Sequence, residues 1–590
     1  MLITTAEIFE EFEGLDPRDQ SQYLLELGYD LPRFEDSQKR DEDLVHGCQS
    51  QVWLTAQAES GDPDPVIHIE ADSDAEIVRG LITILLASYS GQKASRILSL
   101  PITDVFDRLN LKQYISPQRQ NGLQGMVDRI RSIARSHLHT DRPEAQDAID
   151  AAALLAAGSR RTSPPAVRPR KSEDTSGLNA EELRRQFPVL NQKLDGNLRP
   201  VYLDSGASAQ KPQVVIDKER EVEQQYFANA YRGRYSFGAR VDEEMEAARQ
   251  IIADFLNAPS ATQVAFTPGC TSTLNMIAFG WAGHHVQPGE EILITPMEHH
   301  ANFVPWQQVA QQRQAELKMM PLTDDGRIDL ERLDTVLTKR TRVVAVTGMS
   351  NVLGTVNPIA ELARRAHDVG AVIVVDGAQS IPHLTMDVVA EDVDFLAFSG
   401  HKLYGPTGVG VLYGKAERLD EMQPTVFGGH MISRVFADHS TWAPAPAKFE
   451  AGTLPIVQAI ALGTAVRWVQ EVGLERIHQH EQHLLKTATE QLSQISGLTI
   501  YGPAVEHKGA IVSFRLKNLH PEDLAALLDR RAVLTRHGHH CTMPLHDLLK
   551  VSATTRASFA AYNTEEDVQA LVDGILWAQD VMRCRSTKRT

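Results

Sequence analysis

The chain has 590 residues, and at roughly 150 residues per domain it is too long for one small fold. Its 42% hydrophobic and 23% charged residues exclude wholesale disorder. A formal net charge of -18, from 59 Lys plus Arg against 77 Asp plus Glu, disfavours general binding to phosphate backbones, so no nucleic-acid partner is expected. Four scattered cysteines, Cys48, Cys270, Cys541 and Cys584, are too few for a secreted disulfide scaffold. No basic stretch followed by an apolar core opens the chain, and no apolar run has bilayer length. The expectation is a cytoplasmic protein with no membrane anchor.

In chain order, Thr4 with Glu7 and Ser73 with Glu76 have capping-box spacing, which predicts two helix starts. Between them, Gln51 to Ala56 and Val66 to Glu70 are rich in β-formers and flank Gly61-Asp-Pro-Asp-Pro65, as an antiparallel pair would. Ile77, Val78, Leu81, Ile82 and Leu85 continue a helical apolar face towards Gly91, so the first unit reads as small and α+β. The segment Gly158 to Ser172 holds three prolines and five positive charges and reads as a solvated linker. The expected division is 1–138, a linker at 139–178, and a second unit at 179–580.

In that second unit, short apolar runs recur with helical segments between them: Val264 to Thr267, Glu291 to Thr295, Arg342 to Thr347, Ala371 to Val375, Asp394 to Phe398 and Gly408 to Tyr413. This rhythm predicts a largely parallel α/β sheet with a smaller α+β segment from about Gln458. Ligands of such sheets bind at the carboxyl ends of strands, where Thr267, Asp376 and Ser399 stand.

Asp376 and Lys402 close two successive strand regions. Taken singly, each would be an ordinary turn aspartate or surface lysine. Together they offer a carboxylate for a protonated pyridine nitrogen and an amine for an aldehyde, the needs of pyridoxal phosphate. Gly269-Cys-Thr-Ser-Thr273 follows a strand and opens a helix, and free amides there suit a phosphate. Arg536-His-Gly-His-His-Cys541 sets a thiol among imidazoles and a cation, surroundings that favour a nucleophilic thiolate. Zinc ligation by His537, His539, His540 and Cys541 is the rival reading, but four donors within five residues crowd a tetrahedral site, and no metal is expected. A solvated His-rich loop is the plain alternative.

The second unit resembles the class V aminotransferase-like, fold type I pyridoxal-phosphate enzymes, and more closely the SufS-type, group II cysteine desulfurases, from about Leu183 to Ala578. The resemblance rests on Tyr202-Leu-Asp-Ser-Gly-Ala-Ser-Ala-Gln-Lys-Pro212, Met297-Glu-His-His-Ala-Asn302, Ser350-Asn-Val-Leu-Gly354, Phe449-Glu-Ala-Gly-Thr453 and the aspartate, lysine and cysteine segments above. It implies that Lys402 carries the cofactor aldehyde, Asp376 pairs with the ring nitrogen, His299 stacks on the ring, and Asn351 and Gln379 contact its substituents. It also implies phosphate contacts from Thr271, Ser399, His401, the backbone at Cys270, and Thr453 across a homodimer interface. Arg556 and Arg536 would bind the carboxylate of L-cysteine, and Cys541 would accept its sulfur. Cys270 stands where the family usually has threonine and is expected to have no sulfur-transfer role, while Tyr231 replaces a histidine expected to position substrate. A selenocysteine lyase or other β-eliminating enzyme is the alternative on the same scaffold. An idle scaffold that only docks assembly proteins is a second alternative.

The first unit resembles SufE, the sulfur-acceptor partner of SufS, over about residues 5 to 135. The matching motifs are Val45-His-Gly-Cys-Gln-Ser-Gln-Val-Trp53, Leu27-Gly-Tyr-Asp-Leu-Pro32, Asp72-Ser-Asp-Ala75 with Ile77-Val-Arg-Gly80, and Ser116-Pro-Gln-Arg-Gln-Asn-Gly-Leu123. This implies that Cys48 receives persulfide sulfur from Cys541 and passes it towards iron-sulfur scaffold proteins of SufBCD type. Cys584, in a basic tail, is given no function.

Overall fold

The protein is described here by a computed structural model that covers residues 5–13, 17–45, 50–59, 62, 64–100, 117–137, 177–231, 233 and 235–587. Thr4, Cys48, the start of the Ser116 motif and the basic segment from Gly158 to Ser172 lie outside the described residues.

The first unit begins with α1 (Thr5–Glu13) and α2 (Pro17–Asp30), followed by β1 (Val52–Ala58) and β2 (Val66–Ser73). After these come α3 (Glu76–Tyr89), β3 (Gln92–Lys93), α4 (Ala94–Ser99) and α5 (Pro117–Ser136). β1 and β2 form the expected antiparallel pair, with Val52 opposite Ser73 and Ala58 opposite Ile67, and β3 adds to the edge of β2. α3 is buried along nearly its whole length. It crosses α2 so closely that a Cβ on Gly28 would lie 2.0 Å from the Glu76 carbonyl oxygen, and one on Gly80 would lie 2.0 Å from that of Leu24. Only glycine at both positions permits this approach. Arg79, fully buried, is satisfied by the Gly28 carbonyl at 2.9 Å and by the Asp72 carboxylate.

One expectation is corrected here. Ser73 does not cap α3: the N-cap is Ala75 and has no side-chain cap bond. Instead, the Glu76 and Ile77 amides donate to the two carboxylate oxygens of Asp523, at 3.1 and 3.2 Å. A tertiary partner has taken the place of the local one, because a carboxylate satisfies orphan helix amides wherever in the chain it comes from.

The larger unit contains α6 (Ser236–Phe255), β4 (Val264–Thr267), α7 (Cys270–Ile277), β5 (Glu291–Ile294), β6 (Glu316–Met319), β7 (Thr341–Thr347) and α8 (Ile359–Asp368). It continues with β8 (Val372–Asp376), β9 (Phe395–Ser399) and β10 (Gly410–Gly414). Seven strands form one sheet in the order β4-β10-β9-β8-β7-β5-β6. All neighbours pair parallel except β10, which runs antiparallel to both β9 and β4. The inner strands are buried on both faces, which is why they read as continuous apolar runs. Edge strand β6 was not foreseen: Glu316 and Met319 at its ends are exposed, so it carries no such run.

The chain then passes through the hairpin β11 (Ile432–Val435) and β12 (Ser440–Trp442) to α9 (Ile456–Val472) and α10 (Leu474–Ser493). A smaller lobe follows, built from β13 (Leu498–Tyr501), β14 (Ile511–Leu516), α11 (Pro521–Asp529), β15 (Arg536–Gly538), β16 (Thr554–Ser558) and α12 (Glu565–Thr587). Its antiparallel sheet has the order β13-β14-β16-β15. The first unit seats against this lobe. Their buried apolar side chains form one continuous cluster, and Ser50 donates to Glu522 across the seam in a buried contact of 2.8 Å. Among the described residues, no helix is long and apolar enough to cross a membrane.

Candidate active site

A cavity of about 280 Å3 opens where the carboxyl ends of β7, β8 and β9 meet the smaller lobe. Asp376 ends β8 and Lys402 closes the turn after β9, and because these strands pair directly, with Ala397 opposite Asp376, the acid and the amine face the same cavity. Burial pushes the Asp376 carboxyl up and the Lys402 amine down, while each one's charge opposes the other's shift.

Two donors reach the same oxygen of Asp376: the Ala378 amide at 2.9 Å and the Cys270 thiol at 3.3 Å. Cys270 opens α7, and its own amide donates to the Ser399 hydroxyl at 2.9 Å. Gly269 precedes it with φ 152°, a backbone that side-chain-bearing residues rarely adopt. The Gln379 amide donates to the Gly206 carbonyl at 2.6 Å, which ties the Tyr202–Pro212 motif to the strand ends. His299 accepts from the Ala301 amide through Nδ1 at 3.0 Å. Burial, reinforced by the Lys402 charge, pushes it down to about 3, so it is a neutral ring at physiological pH. The same causes push His401 down to about 4.

Glu298, beside His299, is fully buried and holds three segments at once. It accepts from the Thr295 hydroxyl at 2.6 Å, the Asn302 amide at 2.7 Å and the Thr347 backbone at 3.1 Å. Burial still dominates and pushes its carboxyl up to about 8.

Cys541 lies in a tight loop after β15. His540 and Cys541 both have left-handed backbone, φ 51° and 57°, a rare conformation for two successive side-chain-bearing residues. The loop is held from several sides. The Cys541 amide donates to His539 Nδ1 at 3.1 Å, its carbonyl accepts from the His300 amide at 2.7 Å, and the His540 carbonyl accepts from Asn351 at 2.8 Å. Cys541 is half-buried and lines the cavity together with His537, His539 and His540. Among the described residues, no group of His, Cys, Asp and Glu is arranged as a set of metal ligands.

The arginines meet on one acid that the sequence had left without a role. Asp204 accepts from Arg536 Nε at 3.0 Å and Nη2 at 2.7 Å, and from Arg556 Nη2 at 3.2 Å. Arg556 also donates to the Asn351 carbonyl at 2.9 Å. Two cations on one carboxylate leave positive charge at the cavity wall, suited to a substrate carboxylate.

The cavity therefore gathers Lys402, Asp376, Gln379, His299, Asn351, Thr271, Cys270, Ser399, His401, Arg536, Arg556 and Cys541. Thr453 is exposed and does not line it. Tyr231 also stands outside the cavity. It is buried, with φ 68°, donates its hydroxyl to Glu246 at 2.9 Å, accepts from Arg249 at 3.0 Å and stacks on His430 at 4.6 Å. Its hydroxyl and ring are taken up by these contacts, away from the residues that line the cavity.

The residues present fit pyridoxal phosphate: a cavity-facing carboxylate, an amine on the neighbouring strand end, a neutral imidazole and a helix start in one space. Comparison with known proteins agrees. Residues 201–571 match the class-V aminotransferase family, and residues 6–134 match SufE, described as an Fe-S metabolism associated domain. A probable cysteine desulfurase of Halalkalibacterium halodurans is 44% identical over 398 residues, covering 68% of this chain and 97% of that protein. One of Streptomyces coelicolor is 43% identical over 403 residues, covering 68% and 96%. The cysteine desulfurase CsdA of Escherichia coli, solved as its S-sulfonic acid, has a TM-score of 0.64 and 38% identity over 69% of this chain and 100% of its own. The chain belongs to the class-V aminotransferase family, as a pyridoxal-phosphate-dependent cysteine desulfurase joined to an N-terminal SufE domain.

Proposed function

We propose that this chain takes sulfur from L-cysteine, leaving L-alanine, holds it as a persulfide on Cys541 and passes it to Cys48 of its own first unit, for delivery to iron-sulfur scaffold proteins. In this reading the acceptor occupies 1–138, the linker 139–178 and the desulfurase 179–580. The bound cofactor supplies an electron sink for the pair released at the substrate Cα.

The chain's own residues do the rest. Asp376 would keep the cofactor's ring nitrogen protonated, and the neutral His299 ring would help hold the cofactor ring. Thr271, Ser399, His401 and the Cys270 amide would hold the phosphate, and Asn351 and Gln379 the ring substituents. Arg556 and Arg536 orient the substrate carboxylate. Lys402, an amine whose proton affinity is lowered by burial, moves the substrate's α-proton as general base and acid. The Cys541 thiolate attacks the substrate sulfur: an S–S bond forms, the Cβ–S bond breaks, and the electron pair and a proton end on Cβ as alanine. The Cys48 thiolate then attacks the outer sulfur, the S–S bond to Cys541 breaks, and Cys541 leaves as thiolate.

The observation that carries the relay is the seam. Ser50, two residues beyond Cys48, is anchored to Glu522 at the head of α11, and α11 packs on β15, the strand that runs into the Cys541 loop. A first unit anchored on the lobe that carries Cys541 supports transfer within one chain. Exposed Phe227, Phe237, Val426, Phe427 and Val435 support a homodimer in which Thr453 serves the partner's phosphate.

The test is alanine formation from L-cysteine, with labelled sulfur mapped by mass spectrometry. Wild type is expected to carry label on both cysteines, Cys541→Ala on neither, and Cys48→Ala on Cys541 alone. Label on Cys48 at the wild-type rate in Cys541→Ala would overturn the relay.

A further inference from the structure

Two thiols line the active-site cavity, the half-buried Cys541 and the buried Cys270. Nothing in the desulfurase chemistry uses the second. Cys270 is 5% exposed, and its surroundings differ from those of Cys541 in every respect. Its amide is bound to Ser399 at the end of β9, and its sulfur lies 3.3 Å from Asp376 Oδ1 at the end of β8. One residue thus ties the start of α7 to two strand ends.

An ionised carboxylate only accepts hydrogen bonds, so the proton in the contact is the thiol's. Burial and the neighbouring Asp376 charge push the Cys270 thiol up, which keeps it in the S–H form that can donate. The Ala378 amide ends on the same oxygen, at 2.9 Å. Donors from two directions on one oxygen fix the plane of the carboxylate. No hydrogen bond from the described residues falls on the other oxygen, although Asp376 is 4% exposed and lines the cavity. An unpartnered carboxylate oxygen in a buried site calls for a donor from the ligand.

We propose that Cys270 is a positioning residue for Asp376: its S–H donates to one carboxylate oxygen and so aims the other at the protonated ring nitrogen of the cofactor. A thiol suits this place because the long C–S bond spans a gap between helix start and strand end, while the neutral, shielded sulfur stays out of the sulfur-transfer chemistry a few side chains away.

The inference is tested on the cofactor and not on turnover, so it stands or falls separately from the relay. Apoprotein and holoprotein of wild type, Cys270→Ala and Cys270→Ser are compared by titration with pyridoxal phosphate, by visible circular dichroism of the bound cofactor, and by thermal unfolding of the apoprotein. Alanine removes the donor and serine keeps it, and both are smaller than cysteine. Cys270→Ala is expected to bind the cofactor about fivefold more weakly, as for one lost hydrogen bond from a weak thiol donor, with a weakened visible dichroic band. Cys270→Ser is expected to stay within about twofold of wild type and to keep the band, as a retained donor should. The apoproteins unfold alike. Wild-type affinity and dichroism in Cys270→Ala would overturn the proposal. So would a serine variant that falls as far as alanine, since the effect would then follow volume and not the donor.

Discussion

Arg249 and Arg556 are both buried guanidinium groups of the larger unit, yet their surroundings are charged in opposite senses. Arg249 donates to both oxygens of Glu450, at 2.5 and 3.1 Å, and its Nε faces Glu246 at 3.4 Å. The Tyr231 hydroxyl and the Val264 carbonyl complete its set. Two carboxylates thus serve one cation. At the cavity the ratio is inverted, with Arg536 and Arg556 sharing Asp204. A cation whose charge is already answered by the chain holds the fold, and cations left in excess beside a cavity suit an anionic ligand. Tyr231 illustrates the rule, because its hydroxyl belongs to the answered cluster and it plays no part at the cavity.

The largest effect is expected where the answered cluster is broken. Arg249→Met leaves Glu450 buried without its cation, and losing one partner of a buried pair costs about 3–5 kcal/mol. Thermal unfolding should show a large drop in Tm, with KM for L-cysteine unchanged on the folded fraction. A variant that kept its Tm and lost substrate affinity would reverse the assignment of the two clusters.

Arg556→Lys probes the other side. A lysine keeps the charge but loses the fork that reaches Asp204 and the Asn351 carbonyl together. The kcat/KM for L-cysteine is expected to fall about 10- to 100-fold, the worth of a charge-assisted hydrogen bond, mostly through KM. Tm should barely move, because Arg536 still holds Asp204. A large Tm loss with intact KM would make Arg556 another structural cation.

What the sequence disclosed follows the same division between local and tertiary causes. The inner strands were legible because burial on both faces demands uninterrupted apolar runs, as in Val372–Asp376 and Phe395–Ser399. That Asp376, Lys402 and Cys541 meet at one cavity was legible because each sits in a motif local to a strand end or loop. Asp204 was not, although its motif was in view: its partners lie 332 and 352 residues away, and nothing nearby marks an acid as a clamp for two arginines. The cap of α3 was misread for the same reason. Ser73 and Glu76 have the right spacing, but the helix amides are answered by Asp523, 447 and 446 residues away.

That cap also yields the smallest of the expected effects. Glu522 and Asp523 are 2% and 1% exposed, two carboxylates enclosed at the seam and satisfied there by Ser50 and by the first amides of α3. Undocking the first unit would trade these bonds for water, so Asp523 weights the equilibrium towards the docked arrangement by about the worth of a helix cap, near 1 kcal/mol. Asp523→Ala removes both bonds to α3 and leaves the Cys541 loop and the cofactor cavity untouched. The first turnover of alanine, read by rapid quench, should therefore match wild type. Movement of labelled sulfur from Cys541 to Cys48 should slow about fivefold, the change in docked population that a lost cap implies. Diluting the wild-type chain should leave its transfer rate unchanged, because donor and acceptor are then parts of one molecule. A transfer rate that fell in proportion to concentration would place the acceptor on another chain, and the seam would hold the unit in place without serving the relay.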